Sequence, residues 1–282
     1  MSAHPPRSGE ESFGLDCWDG QPLLMHDLHW HPEVEINHIV QGEVTYLAGG
    51  RFSTLGEGQV AVFWGALPHR VVLAHADTVM CWLTLPLPTL LGWGLNEAFV
   101  HSLLNGDFWT QDVHRQADAV RQQFEQWAHD LSQGAAGQRQ IVLLEVEARL
   151  RRVAGASQPF SSWPQRSALG SRSLRHVESL VSIVAERYAQ PLSIRELARQ
   201  VGLHPHYAMT LFKSTLGLSL QTYLTQHRIA HAQRLLATGS LPILDVADAC
   251  GFSSTSQFYE LFKRSCGQTP RRYRAFSRTG EL

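Results

Sequence analysis

The 282-residue sequence predicts a multidomain protein, with an N-terminal all-β barrel plus helices and a C-terminal all-α domain. Three observations support this division. Short apolar segments separated by glycines fill the chain up to about residue 86, which favours a barrel or a sandwich. From about residue 173 the apolar residues recur every three or four positions, which is typical of helices. The two halves also carry opposite charge.

The charge is divided unevenly, although the whole chain has a net charge of only −1. Residues 1–164 contain 9 Arg, no Lys and 18 acidic residues, whereas residues 165–282 contain 15 basic and 7 acidic residues. The C-terminal half is therefore the candidate for binding a polyanion. The four cysteines show no CxxC spacing and the N-terminus lacks an apolar signal segment, so we expect a cytoplasmic protein.

Predicted strands follow one another closely in the first part of the chain. They cover residues 33–40, 43–48, 59–64, 70–73 and 78–85, with glycine turns between them. We therefore assign residues 15–86 to the barrel. The uncharged stretch 79–95 contains Pro86 and Pro88, which favours a buried strand and a loop over a membrane helix.

Residues 87–153 are predicted to form a helical dimerisation segment. Apolar side chains recur at helical spacing over residues 112–132 and 139–153. These stripes either pack on the barrel or form the contact of a homodimer, and the sequence leaves both open. Residues 154–172 are rich in Ser, Gly, Ala and Pro, which is typical of a linker. The C-terminal domain is therefore assigned to residues 173–276.

The C-terminal domain contains an internal repeat. Residues 197–202 are similar to residues 246–251, and Phe212, Lys213 and Gly217 recur as Phe262, Lys263 and Gly267. Each copy predicts a short helix, a glycine turn and a longer helix, which is the helix-turn-helix arrangement, over residues 193–217 and 242–267. Residues 219–238 between the copies predict a helix of roughly 30 Å. One turn of B-DNA measures about 34 Å, so such a rod places two recognition helices in successive major grooves.

The segment 251–274, GFSSTSQFYELFKRSCGQTPRRYR, resembles the signature of the AraC/XylS family of bacterial transcription regulators. The resemblance covers roughly residues 192–274. It implies a regulator that binds double-stranded promoter DNA through two helix-turn-helix units, usually as a homodimer, with RNA polymerase as a further partner. Activation is the expected effect on transcription, and repression stays open.

The resemblance also implies which side chains contact DNA. Base-edge candidates are His206, Met209 and Thr210 in the first unit and Thr255, Ser256 and Glu260 in the second. None of them is an arginine, which predicts modest direct readout of bases. Phosphate candidates are Lys213, Lys263, Arg195, Arg228, Arg271, Arg272 and Arg274.

The acidic half contains a cluster of polar candidates. On one strand, His29, His31, Glu35 and Asn37 share a face, and His69 follows on a neighbouring strand. Three imidazoles and a carboxylate form a reasonable donor set for a divalent Zn, Ni, Mn or Fe ion. The same side chains also hydrogen-bond sugar hydroxyls, and the aromatic faces of Trp64 and Trp82 offer stacking surfaces for a sugar ring.

The spacing of these residues resembles the two cupin motifs, HxHxxxExxxxxxG and GxxxxxPxGxxH. Trp64 and Ala66 replace the proline and the glycine of the second motif. The resemblance implies a cupin-like effector-binding barrel. We expect that the protein requires no cofactor, and a divalent metal ion at His29, His31, Glu35 and His69 stays open.

The segments 29–37, 61–69 and 206–212 are similar to those of a sugar-operon regulator within the AraC family, which implies a sugar effector such as an α-galactoside. We therefore expect a regulator rather than an enzyme. The alternative is a metal-dependent cupin enzyme fused to a DNA-binding domain.

Overall fold

The computed structural model describes residues 14–22, 24, 28–48, 51–156 and 172–279. They form a β-rich N-terminal domain with helices and a helical C-terminal domain, which confirms the predicted fold class. The predicted linker lies outside the described residues, except at its two ends, which continue helices.

Eight strands build the described part of the N-terminal domain. They are β1 (Asp16–Gly20), β2 (Val34–Gln41), β3 (Glu43–Ala48), β4 (Arg51–Gly56), β5 (Gln59–Trp64), β6 (His69–Ala74), β7 (Val79–Leu85) and β8 (Trp109–Asp112). They form a five-stranded sheet, β1-β7-β2-β5-β8, and a three-stranded sheet, β4-β3-β6. Tyr46, Met80 and Phe63 meet in the apolar core between the sheets. In hydrogen-bonding terms the described strands thus make two sheets rather than one closed barrel.

Three strands were absent from the sequence prediction. β1 precedes the predicted set, β4 lies between two of its strands, and β8 lies inside residues 87–153, which were expected to be helical. β8 pairs with β5, with Trp109 opposite Val62, and its tryptophan is buried. Pairing with a neighbouring strand therefore decides the conformation of this short polar segment, and local propensity does not.

Four helices complete the N-terminal domain: α1 (Leu87–Gly92), α2 (Glu97–Leu104), α3 (Ala117–Ser132) and α4 (Ala136–Ala156). Helix α1 replaces the loop expected after β7. Helix α3 packs on the five-stranded sheet and α4 packs on α3 and β8. None of the helices in the described ranges is long and apolar enough to cross a membrane.

The apolar stripe of α4 differs from the predicted one. Its buried side chains are Val142, Val146, Leu150 and Val153, whereas Ile141 and Leu144 are 51% and 57% exposed. Ile141 and Leu144, which belong to the predicted stripe over residues 139–153, are therefore not part of the core. The dimer contact stays a prediction, and these two side chains are its best candidates.

Seven helices form the C-terminal domain. They are α5 (Arg172–Arg187), α6 (Ile194–Gln200), α7 (Pro205–Leu216), α8 (Leu220–Thr238), α9 (Ile243–Ala249), α10 (Thr255–Cys266) and α11 (Pro270–Thr279). The pairs α6–α7 and α9–α10 are the two predicted helix-turn-helix units, and α8 connects them. Phe212 and Phe262 occupy matching positions in the repeat, and both are fully buried.

Both helix-turn-helix units contact the N-terminal domain. The backbone N–H of Leu28 donates to the carbonyl of Leu216 at 3.3 Å, and Arg70 Nη2 donates to the carbonyl of Thr215 at 3.0 Å. These bonds supply donors to carbonyls at the C-terminal end of α7, which have no N–H partner within the helix. Beyond the second unit, α11 packs against α1, and Arg264 and Cys266 of α10 line a cavity shared with the N-terminal domain.

The turns of the two units contain glycines in the left-handed region, Gly202 at φ 71° and Gly251 at φ 80°. A Cβ on Gly251 would lie 2.6 Å from the carbonyl oxygen of Ala189, whereas a Cβ on Gly202 meets nothing within 4 Å. The two positions therefore differ in packing and agree in backbone conformation.

We expect Gly202→Ala to lower the free energy of unfolding by about 1 kcal/mol, the cost of a left-handed alanine. Gly251→Ala should lower it at least twice as much, because the Ala189 carbonyl must also move. Urea unfolding of the full-length variants measures both values. Equal losses would show that the contact with Ala189 is unimportant.

Candidate functional site

The outward faces of α7 and α10 form the candidate nucleic-acid interface. A capping box between Ser193 and Glu196 starts α6, and Ser254 Oγ caps α10 by accepting from the backbone N–H of Gln257. Apolar side chains on the inner faces pack into the domain, so the polar side chains of both helices face solvent. The repeat thus produces two similar exposed surfaces.

The structure places all of the predicted base-edge residues in solvent, together with both lysines of the chain. They are His206, Met209, Thr210 and Lys213 on α7 and Thr255, Ser256, Glu260 and Lys263 on α10. Sequence reasoning missed Tyr207, which is 50% exposed, and Gln257, which occupies the equivalent position of the second unit. The repeat alignment itself pairs these two positions and was sufficient to find them.

Two of the predicted phosphate candidates bind backbone carbonyls of their own domain, and phosphate contact stays a prediction for them. Arg228 lies on α8, where its Nε donates to the carbonyl of Tyr188 at 2.8 Å and its Nη2 to that of Gln190 at 3.0 Å. Arg274 Nη2 donates to the carbonyl of Leu241 at 2.5 Å. Because these guanidinium groups bind backbone carbonyls, they act within the domain. Arg195, Arg271 and Arg272 are exposed and stay candidates for phosphate.

Residues 188–190 connect the two units. Arg228 binds the carbonyls on either side of Ala189, and the Ala189 carbonyl packs against Gly251 of the second turn. Helix α8 has 19 residues, which corresponds to about 28 Å. The segment 188–190 therefore braces a stiff connecting helix near the place where the units meet.

The polar cluster of the N-terminal domain has the predicted members. His29, His31, Glu35 and His69 each offer a ligand atom, and these atoms all lie within 4.8 Å of one another. An isolated backbone bridge between His29 and His69 aligns the two segments. All four side chains are buried, with at most 8% of each residue exposed.

Two imidazoles converge on one carboxylate oxygen. Oε1 of Glu35 lies 2.7 Å from Nε2 of His31 and 3.1 Å from Nε2 of His69. Nδ1 of His69 lies 2.9 Å from the carbonyl oxygen of Leu67, which is an acceptor, so this nitrogen carries the proton. Nδ1 of His31 lies 3.2 Å from Oε2 of Glu33. Oxygen acceptors therefore lie next to both ring nitrogens of His31 and of His69.

Burial and the neighbouring charges shift the pKa values of His31 and Glu35 in opposite directions. Burial lowers the pKa of His31, but the hydrogen bonds and charges of Glu33 and Glu35 outweigh it and raise that pKa to about 9. Burial likewise raises the pKa of Glu35, but His31 and His69 hold it well below its usual range. Burial and the neighbouring His69 lower the pKa of His29. The cluster thus favours an ionised carboxylate next to a positive charge.

Glu33 was missed by the sequence reasoning. It is almost fully buried, and Oε1 of its carboxylate accepts from the backbone N–H of Gly14 at 3.1 Å. The alternation that grouped His31 with Glu35 includes residue 33 as well, so the signal was present. A carboxylate behind an imidazole is the usual outer partner of a metal-binding histidine.

The other predicted effector residues divide between two faces. Asn37 donates to Glu35 Oε2 at 2.8 Å and to Tyr46 at 3.0 Å, and Trp82 pairs with Asn37 on the neighbouring strand. Trp64 faces the other way, because its neighbour Phe63 is the residue paired with Glu35. Its indole donates to the Pro32 carbonyl at 3.2 Å. Trp64, predicted as a stacking surface for a sugar, therefore lies on the opposite face of the sheet from Glu35.

A cavity of about 560 Å³ lies between the two domains. Trp30, His31 and Glu33 line its N-terminal side. The C-terminal side consists of residues from α8, α10 and α11 with the segment between them, including Gln226, Gln233, Arg264, Gln268, Tyr273 and Phe276. The indole N–H of Trp30 is buried and finds no acceptor among the described residues. His31 and Glu33 thus border both the polar cluster and this interdomain cavity.

Comparisons with known proteins cover both domains. Residues 19–154 match the model of an AraC-like ligand binding domain, and residues 197–275 match that of a helix-turn-helix domain. The chain is 28% identical to the melibiose operon regulatory protein of Escherichia coli K12 over 261 residues, 91% of this chain and 86% of that protein. It is 27% identical to the Msm operon regulatory protein of Streptococcus mutans over 99 residues, 35% of this chain and 36% of that protein.

Among solved structures, a transcriptional regulator with an AraC-type DNA-binding domain from Chromobacterium violaceum is similar to part of the chain. The two are 30% identical, and the match covers 39% of this chain and 97% of the other with a TM-score of 0.36.

The roles of Arg228 and Arg271 are separable by salt dependence. Arg271→Gln should reduce the slope of log K against log salt concentration by about one, because one phosphate contact is lost. Arg228→Gln should weaken specific binding and leave this slope unchanged, since it loosens the connection between the units. Fluorescence anisotropy with promoter DNA over a salt series measures both slopes. A reduced slope for Arg228→Gln would restore it as a phosphate contact.

Proposed function

Because its two halves match an AraC-like ligand binding domain and a helix-turn-helix domain, the chain belongs to the AraC family, and we propose that it regulates a promoter in response to a sugar. The two exposed recognition surfaces on α7 and α10 are the observation that carries the proposal. The relative from Escherichia coli is named for the melibiose operon, and melibiose is an α-galactoside. An α-galactoside is therefore the effector class we propose, with RNA polymerase as the downstream partner in the cytoplasm.

The contacts between the domains supply a physical route for regulation. The N-terminal domain binds the end of α7 through Leu28 and Arg70, and it packs against α11 through α1. A ligand that binds one arrangement of the domains more tightly shifts the population toward it. DNA that needs the same arrangement is then bound more tightly, by the same coupling free energy.

We assign the sugar to the interdomain cavity rather than to the polar cluster. Of the cluster, only His31 lines this cavity, whereas His29, Glu35 and His69, like Asn37, are buried and do not line it. The cavity volume falls within the range of roughly 300–1,000 Å³ that is usual for small-molecule sites. Its lining combines aromatic faces, such as Trp30 and Tyr273, with amide, carboxylate and guanidinium groups that hydrogen-bond hydroxyls.

For the polar cluster we propose a divalent cation. His29, His31, Glu35 and His69 are the residues that would hold it, and the donor set suits Zn or a neighbouring transition metal. Glu33 and the Leu67 carbonyl sit behind His31 and His69 as outer partners. The ion would supply positive charge that fixes residues 29–33, which border the cavity. Burial of the cluster favours this positioning role over catalysis on a diffusing substrate.

An α-galactoside is expected to change the affinity of the full-length protein for its upstream promoter DNA at least about fivefold, the lower end of typical coupling. Trp30→Ala should lose this response and keep sugar-free DNA binding. The matched control is Trp18→Ala, because Trp18 stacks on Trp82 away from the cavity. Absence of DNA binding rejects the regulator, whereas DNA binding unaffected by any sugar of a panel rejects the effector.

Elemental analysis after incubation with Zn, Ni, Mn or Fe(II) and dialysis should find one ion per chain. His69→Gln should lose the ion, and a chelator should lower the Tm of the unmodified chain but not the Tm of this variant. His38→Gln is the matched control, since His38 is a buried histidine on the opposite face of β2. Metal-free protein with a chelator-insensitive Tm would refute the site.

A further inference from the structure

Arg149, on α4, has no acidic partner among the residues that the structure describes. Arg149 is only 6% exposed. Its Nη2 donates to the neutral Oε1 of Gln123 at 2.7 Å, and its Nε is buried with no acceptor among the described residues. A buried guanidinium normally binds a carboxylate, because loss of hydration is otherwise uncompensated.

Two other arginines of α3 and α4 form ion pairs with glutamates. Arg121 on α3 binds Glu125 at 2.8 Å, and Arg151 on α4 binds Glu147 at 2.7 Å. Arg149 instead has Arg152 as its charged neighbour, and burial followed by the charge of Arg152 lowers the pKa of Arg149. This domain has twice as many acidic as basic residues, so the pairing of two cations is unusual there.

Both arginines border a surface cavity of about 450 Å³. The rest of its lining is Gln116, Ala119, Val120 and Gln123, so no acidic side chain is part of it. Gln116, Ala119 and Val120 lie at the beginning of α3, where the helix dipole is positive, and Gln123 follows one turn later. Asp118 in that first turn is exposed and does not line the cavity. Every charged group of the lining is therefore positive.

We propose that this cavity is a binding site for the phosphate group of a small phosphorylated metabolite. A phosphate oxygen would accept from the guanidinium of Arg149, whose charge no acidic side chain of the described residues pairs, and Arg152 would supply the second charge. The amides of Gln116 and Gln123 offer further polar contacts. Binding would hold α3 against α4, at a place distinct from the polar cluster and the interdomain cavity. The regulator would thus respond to a second, anionic ligand.

The test measures the Tm of full-length protein in inorganic phosphate and in sodium chloride of equal ionic strength. Phosphate should raise the Tm of the unmodified chain beyond the effect of chloride. Arg152→Gln, a change at an exposed residue, should weaken the apparent phosphate affinity about tenfold. Arg121→Gln is the matched control and should respond like the unmodified chain, since Arg121 is paired with Glu125.

A second readout uses Arg149→Met. In phosphate-free buffer this variant should have a higher Tm than the unmodified chain, because an uncompensated buried charge is removed, and phosphate should not raise it further. A lower Tm would mean that Arg149 has a purely structural role. An equal response to phosphate in all variants, or none beyond that of chloride, would also overturn the proposal.

Discussion

Helix α8 and the backbone of residues 188–190 hold the two recognition helices in one arrangement. The carbonyls on either side of Ala189 accept from Arg228, and the Ala189 carbonyl itself packs on a glycine that tolerates no Cβ. A loose connection would let each helix-turn-helix unit bind its half-site independently, at an entropic cost for the second contact. A stiff connection lets both units bind as one body, which suits modest base readout by residues other than arginine.

The N-terminal domain contacts the DNA-binding domain at two places. It caps the C-terminal end of α7 with Leu28 and Arg70 and packs against α11 through α1. The segment from His29 to Glu33 is shared between the polar cluster and the interdomain cavity. A small movement of this segment therefore changes the shape of the cavity that it shares with the end of α10. Residues 29–33 therefore connect the polar cluster with the cavity next to the DNA-binding domain.

The sequence predicted features whose signals are periodic or repeated. The 50-residue repeat located both helix-turn-helix units, and alternation along a strand grouped His29, His31 and Glu35. Side-chain partners that form only in the folded chain were not predictable. Nothing local distinguishes Arg228, which binds backbone carbonyls, from Arg271, which lies in solvent. Arg149 is similar, because its lack of a carboxylate depends on which residues of α3 it meets. Strand β8 was missed because its four residues become a strand through pairing with β5.

Hydroxyl-radical footprinting of the full-length protein on its upstream promoter tests the fixed arrangement most directly. Two protected major-groove segments on one face of the duplex, about one helical turn or 10 base pairs apart, are the expected result. A single protected segment, or two segments whose separation varies from site to site, would contradict the rigid coupling of the two units.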